Sequence, residues 1–323
     1  MVKKQHVVIL ILVIAAALVW SLLHFARKPV RVWFVSYVFL DETRRLQENI
    51  RQRLEDRHSG KQVIVESRCA FGKAQELKEI LTSADSGEAN VVVAIGLDAT
   101  RQAYETVENI PVVYCKVGYP EAYGFLDERP GLAPFVGIGE ESPVEEYCTA
   151  LQRLNHTWGD AGAIIPKGYL AGEAECEAFQ EAYKHQYNRI VKEVVIDAKT
   201  CAQLMDVVFA YNLIISQKVT LFYAINDGNL SKYLGALIRQ CARQEIPVIA
   251  GGRAVLNQGG ILAIVPDENA LAGQCASMVA RILDGEDCDH EKVNKFITLW
   301  NTNALAEYGL RVEEERGPVA DFL

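Results

Sequence analysis

The sequence predicts an α/β protein made of two doubly wound parallel-sheet lobes, with a hinge and an interlobe cleft. Three observations predict this class. Apolar β-rich runs alternate with amphipathic helical stretches along almost the whole chain. Residues 91–115 and 219–249 repeat one pattern, in which a strand, a polar turn and a helix lead to Ile-Pro-Val and the next strand. The length of 323 residues is about twice that of a typical domain.

The repeated pattern is typical of a βαβ unit. A parallel strand is buried on both faces and is therefore apolar throughout, whereas its crossover helix is buried on one face only. Two such units far apart in the chain favour two similar lobes, which commonly bind a ligand in the crevice between them.

The first lobe begins with an apolar strand at residues 30–36. The helix that follows carries Leu46, Ile50 and Leu54 at a four-residue spacing, which marks its buried face. The other elements predicted here are strands at 62–67, 91–95 and 111–115 and helices at about 72–84 and 98–107. Residues 118–139 are rich in glycine and proline and are expected to be irregular.

The rest of the chain continues the alternation, with a further apolar strand before the last long helix. The predicted helices lie at 143–155, 173–187, 200–216, 230–244, 268–284 and from 302, and the strands at 161–166, 189–196, 219–225, 246–251, 259–265 and 296–300. We assign residues 30–139 and 267–287 to lobe 1, and residues 140–266 and 288–323 to lobe 2.

Residues 1–29 are predicted to stand apart from both lobes. The apolar run from Val7 to Phe25 would span roughly 28 Å as a helix, close to the thickness of a bilayer core. A cleaved secretory signal usually has a shorter apolar stretch and a better cleavage site. We therefore favour an uncleaved membrane anchor at residues 7–25 over a cleaved signal. Basic residues flank both ends, so charge alone does not fix the orientation.

Composition and motifs exclude several classes of function. The net charge of −9 disfavours nucleic acid as a partner. The chain has no phosphate-binding loop, nucleophile elbow or zinc-protease motif, and no histidine falls at a strand-end turn. We expect no catalysis, no cofactor and no metal site. Cys288 and His290 alone are weak evidence for a metal, and the eight separate cysteines leave any disulfide pairing open.

Ligands of parallel α/β sheets bind beyond the carboxyl ends of the strands. Several of the turns at those ends precede helices, whose free N–H groups and dipole favour an anion such as a carboxylate. This rule alone points to the turns at 36–37, 96–99, 118–119, 166–169, 226–228 and 251–253. From these turns we take the following candidate ligand-binding residues: Ser36, Tyr37, Gly96, Leu97, Asp98, Ala99, Gly118, Tyr119, Tyr169, Asn226 and Asp227.

Asp227 is the strongest single candidate for a ligand contact, because it follows a predicted strand and lies in a turn between Asn226 and Gly228. A carboxylate there could bind an amine or hydroxyl groups of a ligand, or could simply cap a helix or stabilise the turn. The same choice exists for Asp98, where capping is favoured. The aromatic residues between Tyr119 and Phe125 suggest stacking on a ligand or a lid.

The chain resembles the ABC-transporter substrate-binding proteins of the tryptophan/tyrosine-binding type, which have the class I periplasmic-binding-protein fold. The resemblance covers residues 31–312. It depends on VVVAIGLDAT, NIPVVYCKVGYP, LFYAINDGNL, IPVIAG, GGILAIVPDENALAGQCASMVARILDGE and ITLWNTNALAEYGL, in that order.

The resemblance implies ligand contacts from Asp227, from Asn301 and from the turn at 96–99. It also shows departures from the family pattern. Leu97 stands where the family favours threonine, and residues 118–120 replace Thr-Asp-Pro. Residues 169–172 replace a polar group that includes glutamate, asparagine and serine. These changes favour a ligand that is bulkier or less polar than an aromatic amino acid. We therefore expect a small organic ligand that is amino-acid-like or more apolar.

We therefore expect an extracytoplasmic solute-binding protein, anchored to the outer face of the cell membrane. It would close two lobes on a small organic ligand and present it to an ABC permease. Two alternatives remain open at this point: a membrane-tethered ligand sensor, and a degenerate binding protein that acts through protein–protein contact.

Overall fold

The computed structural model describes residues 29–57, 63–197, 204–226, 230 and 232–313. Among these residues the strands are β1 (Val30–Ser36), β2 (Val63–Cys69), β3 (Val91–Ile95), β4 (Val112–Val117), β5 (Phe135–Gly139), β6 (Ala161–Lys167), β7 (Val191–Asp197), β8 (Leu221–Ala224), β9 (Val248–Ala250), β10 (Leu262–Pro266), β11 (Glu291–Lys292) and β12 (Phe296–Trp300).

The helices alternate with these strands along the chain. They are α1 (Asp41–Arg57), α2 (Ala74–Ser83), α3 (Leu97–Thr106), α4 (Val144–Leu151), α5 (Leu170–Tyr187), α6 (Leu204–Ile215), α7 (Leu234–Ala242), α8 (Ala254–Asn257), α9 (Glu268–Leu283) and α10 (Thr302–Glu307). A π-helical turn follows α2 at Ala84–Glu88, and a 3-10 turn covers Pro120–Tyr123.

The strands form two sheets of six, which confirms the predicted α/β class with two wound sheets. The first sheet has the order β11-β5-β4-β3-β1-β2 and the second has the order β12-β10-β9-β8-β6-β7. The strand β1 pairs in parallel with both β2 and β3, and β8 pairs in parallel with β9. Each sheet therefore has the crossover connections that the sequence pattern predicts.

The last strand departs from the expectation of a parallel sheet. The strand β12 runs antiparallel to β10, with Phe296 opposite Pro266 and Trp300 opposite Leu262. Only residues 293–295 separate β11, which belongs to the first sheet, from β12. The Asp267 N–H, just after β10, donates to the Lys295 carbonyl, just before β12, at 2.9 Å. The chain therefore enters the second sheet beside the end of β10, and β12 runs back along β10 in the antiparallel direction.

The second sheet is buried on both faces, and alternate residues of β6 show it. Ala163 and Ile165 belong to the apolar cluster on one face, whereas Ile164 belongs to the cluster on the other. Tyr223 and Phe222 of β8 divide in the same way. The two-residue period of a strand thus supplies both cores at once, which explains the continuous apolar runs in the sequence.

The helices that pack on the first sheet bury the faces that the sequence predicts. Leu46, Ile50 and Leu54 of α1 are fully buried, and so is Leu81 of α2. Several short elements were not predicted. Residues 118–139 contain β5 and a 3-10 turn as well as irregular chain, and β11 and α8 have only two and four residues.

The chain divides into two compact units whose boundary passes through β4. The first unit holds the described residues up to Val113, with Gly131–Pro134 and Ala276–Cys288, and the second holds Tyr114–Pro130, Phe135–Cys275 and the described residues from Asp289. The lobe boundaries at 139/140, 266/267 and 287/288 stay a prediction, as do the hinge and the cleft.

The predicted membrane anchor at residues 7–25 lies outside the described residues. Among the residues that are described, we find no helix long and apolar enough to cross a membrane.

Candidate functional site

In the first unit, two of the predicted ligand-binding residues lie at the carboxyl end of β1: Ser36 is its last residue and Tyr37 follows it. Ser36 is buried, and its carbonyl accepts a hydrogen bond of 3.0 Å from the Ala70 N–H. Tyr37 is half-buried, and its hydroxyl donates to the Gly72 carbonyl at 2.6 Å. The Gly72 N–H donates in turn to the Tyr37 carbonyl at 2.8 Å. Tyr37 therefore joins the end of β1 to the turn after β2.

The turn after β3 requires glycine for a conformational reason. Gly96 has φ 88° and ψ 163°, a region that residues with a Cβ rarely adopt. Its carbonyl accepts from the Thr100 hydroxyl at 2.9 Å, which fixes the first turn of α3. No side chain among the described residues caps this helix. The turn thus presents an uncapped helix N-terminus beside an exposed Asp98, while Leu97 is half-buried and Ala99 is buried.

In the second unit, Gly118 and Tyr119 lie near the first turn of α5. The Ala171 N–H donates to the Tyr123 hydroxyl at 3.3 Å. A Cβ on Gly118 would stand 3.9 Å from the Ala171 Cβ. Tyr119 itself is buried and adopts a left-handed conformation with φ 47°. These contacts assemble the turn after β4 against the start of a helix.

The aromatic segment at 119–125 divides between two environments. Phe125 is 2% exposed and packs against Phe135, with ring centroids 6.0 Å apart. Tyr123 is half-buried and stacks on Phe125 at 5.6 Å. The predicted stacking or lid role therefore does not extend to Phe125, which is a core residue. Only Tyr123 is accessible in this pair.

Tyr169 and Asn226 meet at the carboxyl edge of the second sheet. The Tyr169 hydroxyl donates to the Asn226 carbonyl at 3.1 Å. The Tyr169 ring lies over Gly172, where a Cβ would collide with it. The Cβ of Asn226 lies 3.5 Å from the position that a Cβ on Gly251 would take. The ends of β6, β8 and β9 are thus brought together, and the Asn226 side chain is exposed there.

The family resemblance also implies Asp227 and Asn301. Asp227 lies outside the described residues, whereas Asn301 is described and lies away from this group. Asn301 follows β12 beside Ile261, at the edge where β10 begins, which is the edge opposite Asn226. Its Oδ1 accepts from the Ala304 N–H at 3.0 Å, and its Nδ2 donates to the Leu256 carbonyl at 2.8 Å. Asn301 caps α10 and holds the end of α8.

Sequence analysis missed a buried carboxylate in the second unit. Glu175 of α5 is 3% exposed, and its Oε1 accepts from the Tyr223 hydroxyl at 2.6 Å. Burial and then the charge of Glu175 raise the pKa of Tyr223 and also that of Tyr119. Both phenols therefore stay protonated at neutral pH. A charged residue on the apolar face formed by Gly172, Cys176 and Phe179 was the signal available in the sequence.

The described residues contain no cluster suited to a metal ion. The thiol of Cys288 donates to the Met278 carbonyl at 3.8 Å, and the His290 ring lies 2.8 Å from the Tyr114 hydroxyl. Burial lowers the pKa of His290. Within the described chain the cysteines are free thiols, namely Cys69, Cys115, Cys148, Cys176, Cys241, Cys275 and Cys288.

Residues 40–320 match the family model described as "ABC transporter substrate binding protein". The chain belongs to this family. No curated protein matches this substrate-binding protein in sequence.

Solved structures agree on the fold of this substrate-binding protein. An ABC domain in complex with L-Trp from Streptococcus pneumonia has a TM-score of 0.73 at 14% identity, covering 91% of this chain and 99% of that one. A ligand-free, open substrate-binding protein with adhesive properties from Clostridium difficile has a TM-score of 0.75 at 16% identity, with the same coverage. A conserved domain protein from Vibrio cholerae has a TM-score of 0.71 at 18% identity, covering 89% and 97%.

These identities establish the fold alone, and the family match establishes the class of protein. The family match confirms the predicted family of ABC-transporter substrate-binding proteins, which are extracytoplasmic, and the solved structures confirm the class I periplasmic-binding-protein fold.

Proposed function

We propose that this substrate-binding protein captures a small organic solute, amino-acid-like or more apolar, and delivers it to an ABC permease. The observation that carries the proposal is the meeting of Tyr169, Asn226 and Gly251 at the carboxyl edge of the second sheet. This edge is where parallel α/β sheets bind their ligands. The pneumococcal neighbour, which binds L-Trp, supports a ligand of comparable size.

The side chains at the candidate turns favour an apolar ligand body. Tyr37 and Tyr169 offer half-buried rings, and Leu97 offers an aliphatic chain. Aromatic side chains bury a large area at low entropic cost and stack on flat groups. An aromatic or aliphatic solute would pack against these side chains better than a sugar, whose many hydroxyl groups would each need a hydrogen-bond partner.

We assign the polar end of the solute to three positions. Asn226 and Asp227 would bind an amine or a hydroxyl group, and the uncapped start of α3 at Gly96 would bind a carboxylate. We leave Asn301 out of this set, because both of its amide atoms already bind the protein.

Capture would follow the hinge closure typical of two-lobed binding proteins. A solute that contacts residues of both lobes favours the closed state by its difference in affinity for the two states. The predicted anchor at residues 7–25 would hold the protein at the outer face of the cell membrane, close to the permease. The protein would act by binding alone, because no histidine occurs in the candidate turns to serve as a general base.

Thermal-shift screening of amino acids and small aromatic or aliphatic acids tests this function. We expect at least one compound to raise the melting temperature, and calorimetry to give one site per chain. Asp227→Ala should weaken that affinity at least tenfold, whereas Asp56→Ala, which removes an exposed carboxylate of α1, should not. Equal affinities for the two variants would remove Asp227 from the site.

A further inference from the structure

The second unit contains an apolar cavity of about 60 Å³ beside the candidate site. It lies between the carboxyl halves of β8 and β9 and the helices α7 and α8 that follow them. Its walls are formed mainly by core side chains, among them Ile164, Phe222, Leu234, Leu237 and Val255.

The lining decides the chemistry of an occupant. Asn226 carries the one polar side chain among the described residues around the cavity. A polar group pushed further inside would lose its water without gaining a hydrogen bond, which is unfavourable. Water is a poor occupant for the same reason, since it needs two to four polar partners. The cavity therefore suits a hydrocarbon group.

The walls of the cavity belong to the packed core. Phe222, Leu237 and Val255 are each at most 4% exposed and belong to the core cluster on this face of the sheet. Well-packed cores rarely leave space of this volume, because the lining atoms lose dispersion contacts. An entering alkyl group restores those contacts without requiring the core to rearrange.

The mouth of the cavity joins it to the candidate site. Asn226 and Gly252 both line it, and Asn226 also contacts Tyr169 through its carbonyl. Ala254, the first residue of α8, lines it as well and is exposed. A molecule held by polar groups at Asn226 could thus extend an apolar end directly into the cavity.

We infer that this cavity is an apolar subsite that receives a short hydrocarbon group of the transported solute. The inference depends on the proposed function. The volume equals that of about four to six water-sized spheres, so we expect room for a chain of about four carbon atoms. The solute is then an amphiphile with a polar end at Asn226 and an aliphatic end in the core.

A series of primary alcohols tests the subsite without knowledge of the natural solute. Ethanol, 1-propanol, 1-butanol, 1-pentanol and 1-hexanol are titrated into the full chain, labelled with ¹³C at isoleucine, leucine and valine methyl groups. We expect saturable NMR shifts at Ile164, Leu237 and Val255. Affinity should rise about fourfold for each added methylene. The rise should stop near 1-butanol or 1-pentanol, when the cavity is full.

Two alanines form a matched pair for the control. Ala254→Phe should fill the mouth and abolish the saturable shifts. Ala74→Phe makes the same change at the exposed first residue of α2, away from the cavity, and should leave them unchanged. Leu234→Ala enlarges the cavity and should move the chain-length limit to a longer alcohol.

Shifts that do not saturate would overturn the subsite, and so would shifts that persist in Ala254→Phe. A chain-length limit unchanged by Leu234→Ala would also overturn it. Failure of the proposed function looks different: the alcohols would bind with the expected limit, but no solute would bind in the thermal-shift screen.

Discussion

The hydroxyl of Tyr223 donates a hydrogen bond of 2.6 Å to the Glu175 carboxylate, and both side chains are buried. The Tyr223 ring stacks on Phe179 with centroids 4.0 Å apart. This pair links β8 to α5 inside the unit that carries Tyr169 and Asn226. A buried carboxylate that loses such a donor is costly, because its desolvation is no longer offset.

Tyr223→Phe removes that donor and should lower the free energy of unfolding by about 1–3 kcal/mol. Urea denaturation followed by circular dichroism measures the change. Tyr37→Phe is the matched control: it also loses a bond of 2.6 Å, but the Tyr37 hydroxyl and its partner lie at the surface, where water can replace the lost hydrogen bond. An equal loss in both variants would refute the special role of burial at Glu175.

Asp267 should make the free energy of unfolding depend on pH in the acid range. Its carboxylate lies 2.7 Å from the Lys295 Nζ and accepts from the Asn269 N–H at 2.9 Å. The hydrogen bond from Lys295 is the main cause that lowers the pKa of Asp267. The stabilisation is therefore complete above the unfolded pKa of about 3.9 and is lost as the pH falls through the lower folded value.

Asp267→Asn keeps an oxygen for the helix cap but removes the charge. We expect it to be less stable than the native protein at pH 7, with the difference shrinking below about pH 4. Denaturation curves between pH 2 and pH 7 measure this. Asp56→Asn, at an exposed position, should show no such trend. A difference between Asp267→Asn and the native protein that stays constant with pH would contradict the assignment.

Gly96→Ala should destabilise the protein by about 1–3 kcal/mol, because an alanine is strained at φ 88° and ψ 163°. Nothing lies within 4 Å of the position that its Cβ would take, so the cost is conformational rather than steric. Gly118→Ala is the control, since its Cβ would make only ordinary contacts, the nearest at 3.5 Å. Chemical denaturation distinguishes the two, and an unaffected Gly96→Ala variant would disprove the strain.

Asn301→Ala should lower the free energy of unfolding by about 1–3 kcal/mol and leave solute affinity unchanged. The loss arises from the cap on α10 and from the bond to the Leu256 carbonyl. Asn301→Asp keeps the cap oxygen and should fall between alanine and the native residue. Calorimetry with the bound solute decides the second part: a tenfold weaker affinity in Asn301→Ala would support the ligand contact that the family resemblance implies.

Much of the fold follows from periodicity in the sequence. The helical spacing of Leu46, Ile50 and Leu54 gives the buried face of α1, and the apolar run at 91–95 gives β3. Two short strands were not predicted: β5 reads Phe-Val-Gly-Ile-Gly within a glycine-rich stretch, and β11 has only two residues. Their positions are set by pairing with neighbouring strands, which the local sequence does not encode.

The candidate site was predictable in outline only. The rule for parallel strands locates Tyr169 and Asn226 at strand ends, and these two residues do meet. Glu175 was missed because a glutamate within a helix is ordinarily solvent-exposed, and its burial depends on the distant Tyr223. The family pattern suggested Asn301, but the antiparallel direction of β12 carries it to the opposite edge of the sheet.

Native mass spectrometry of the protein purified from its own cells tests the central claim most directly. We predict one small organic molecule bound per chain, released on unfolding, and rebinding to the emptied protein with a Kd that Asp227→Ala raises at least tenfold. A protein that carries no such molecule, and whose melting temperature no compound of the screen raises, would contradict solute capture.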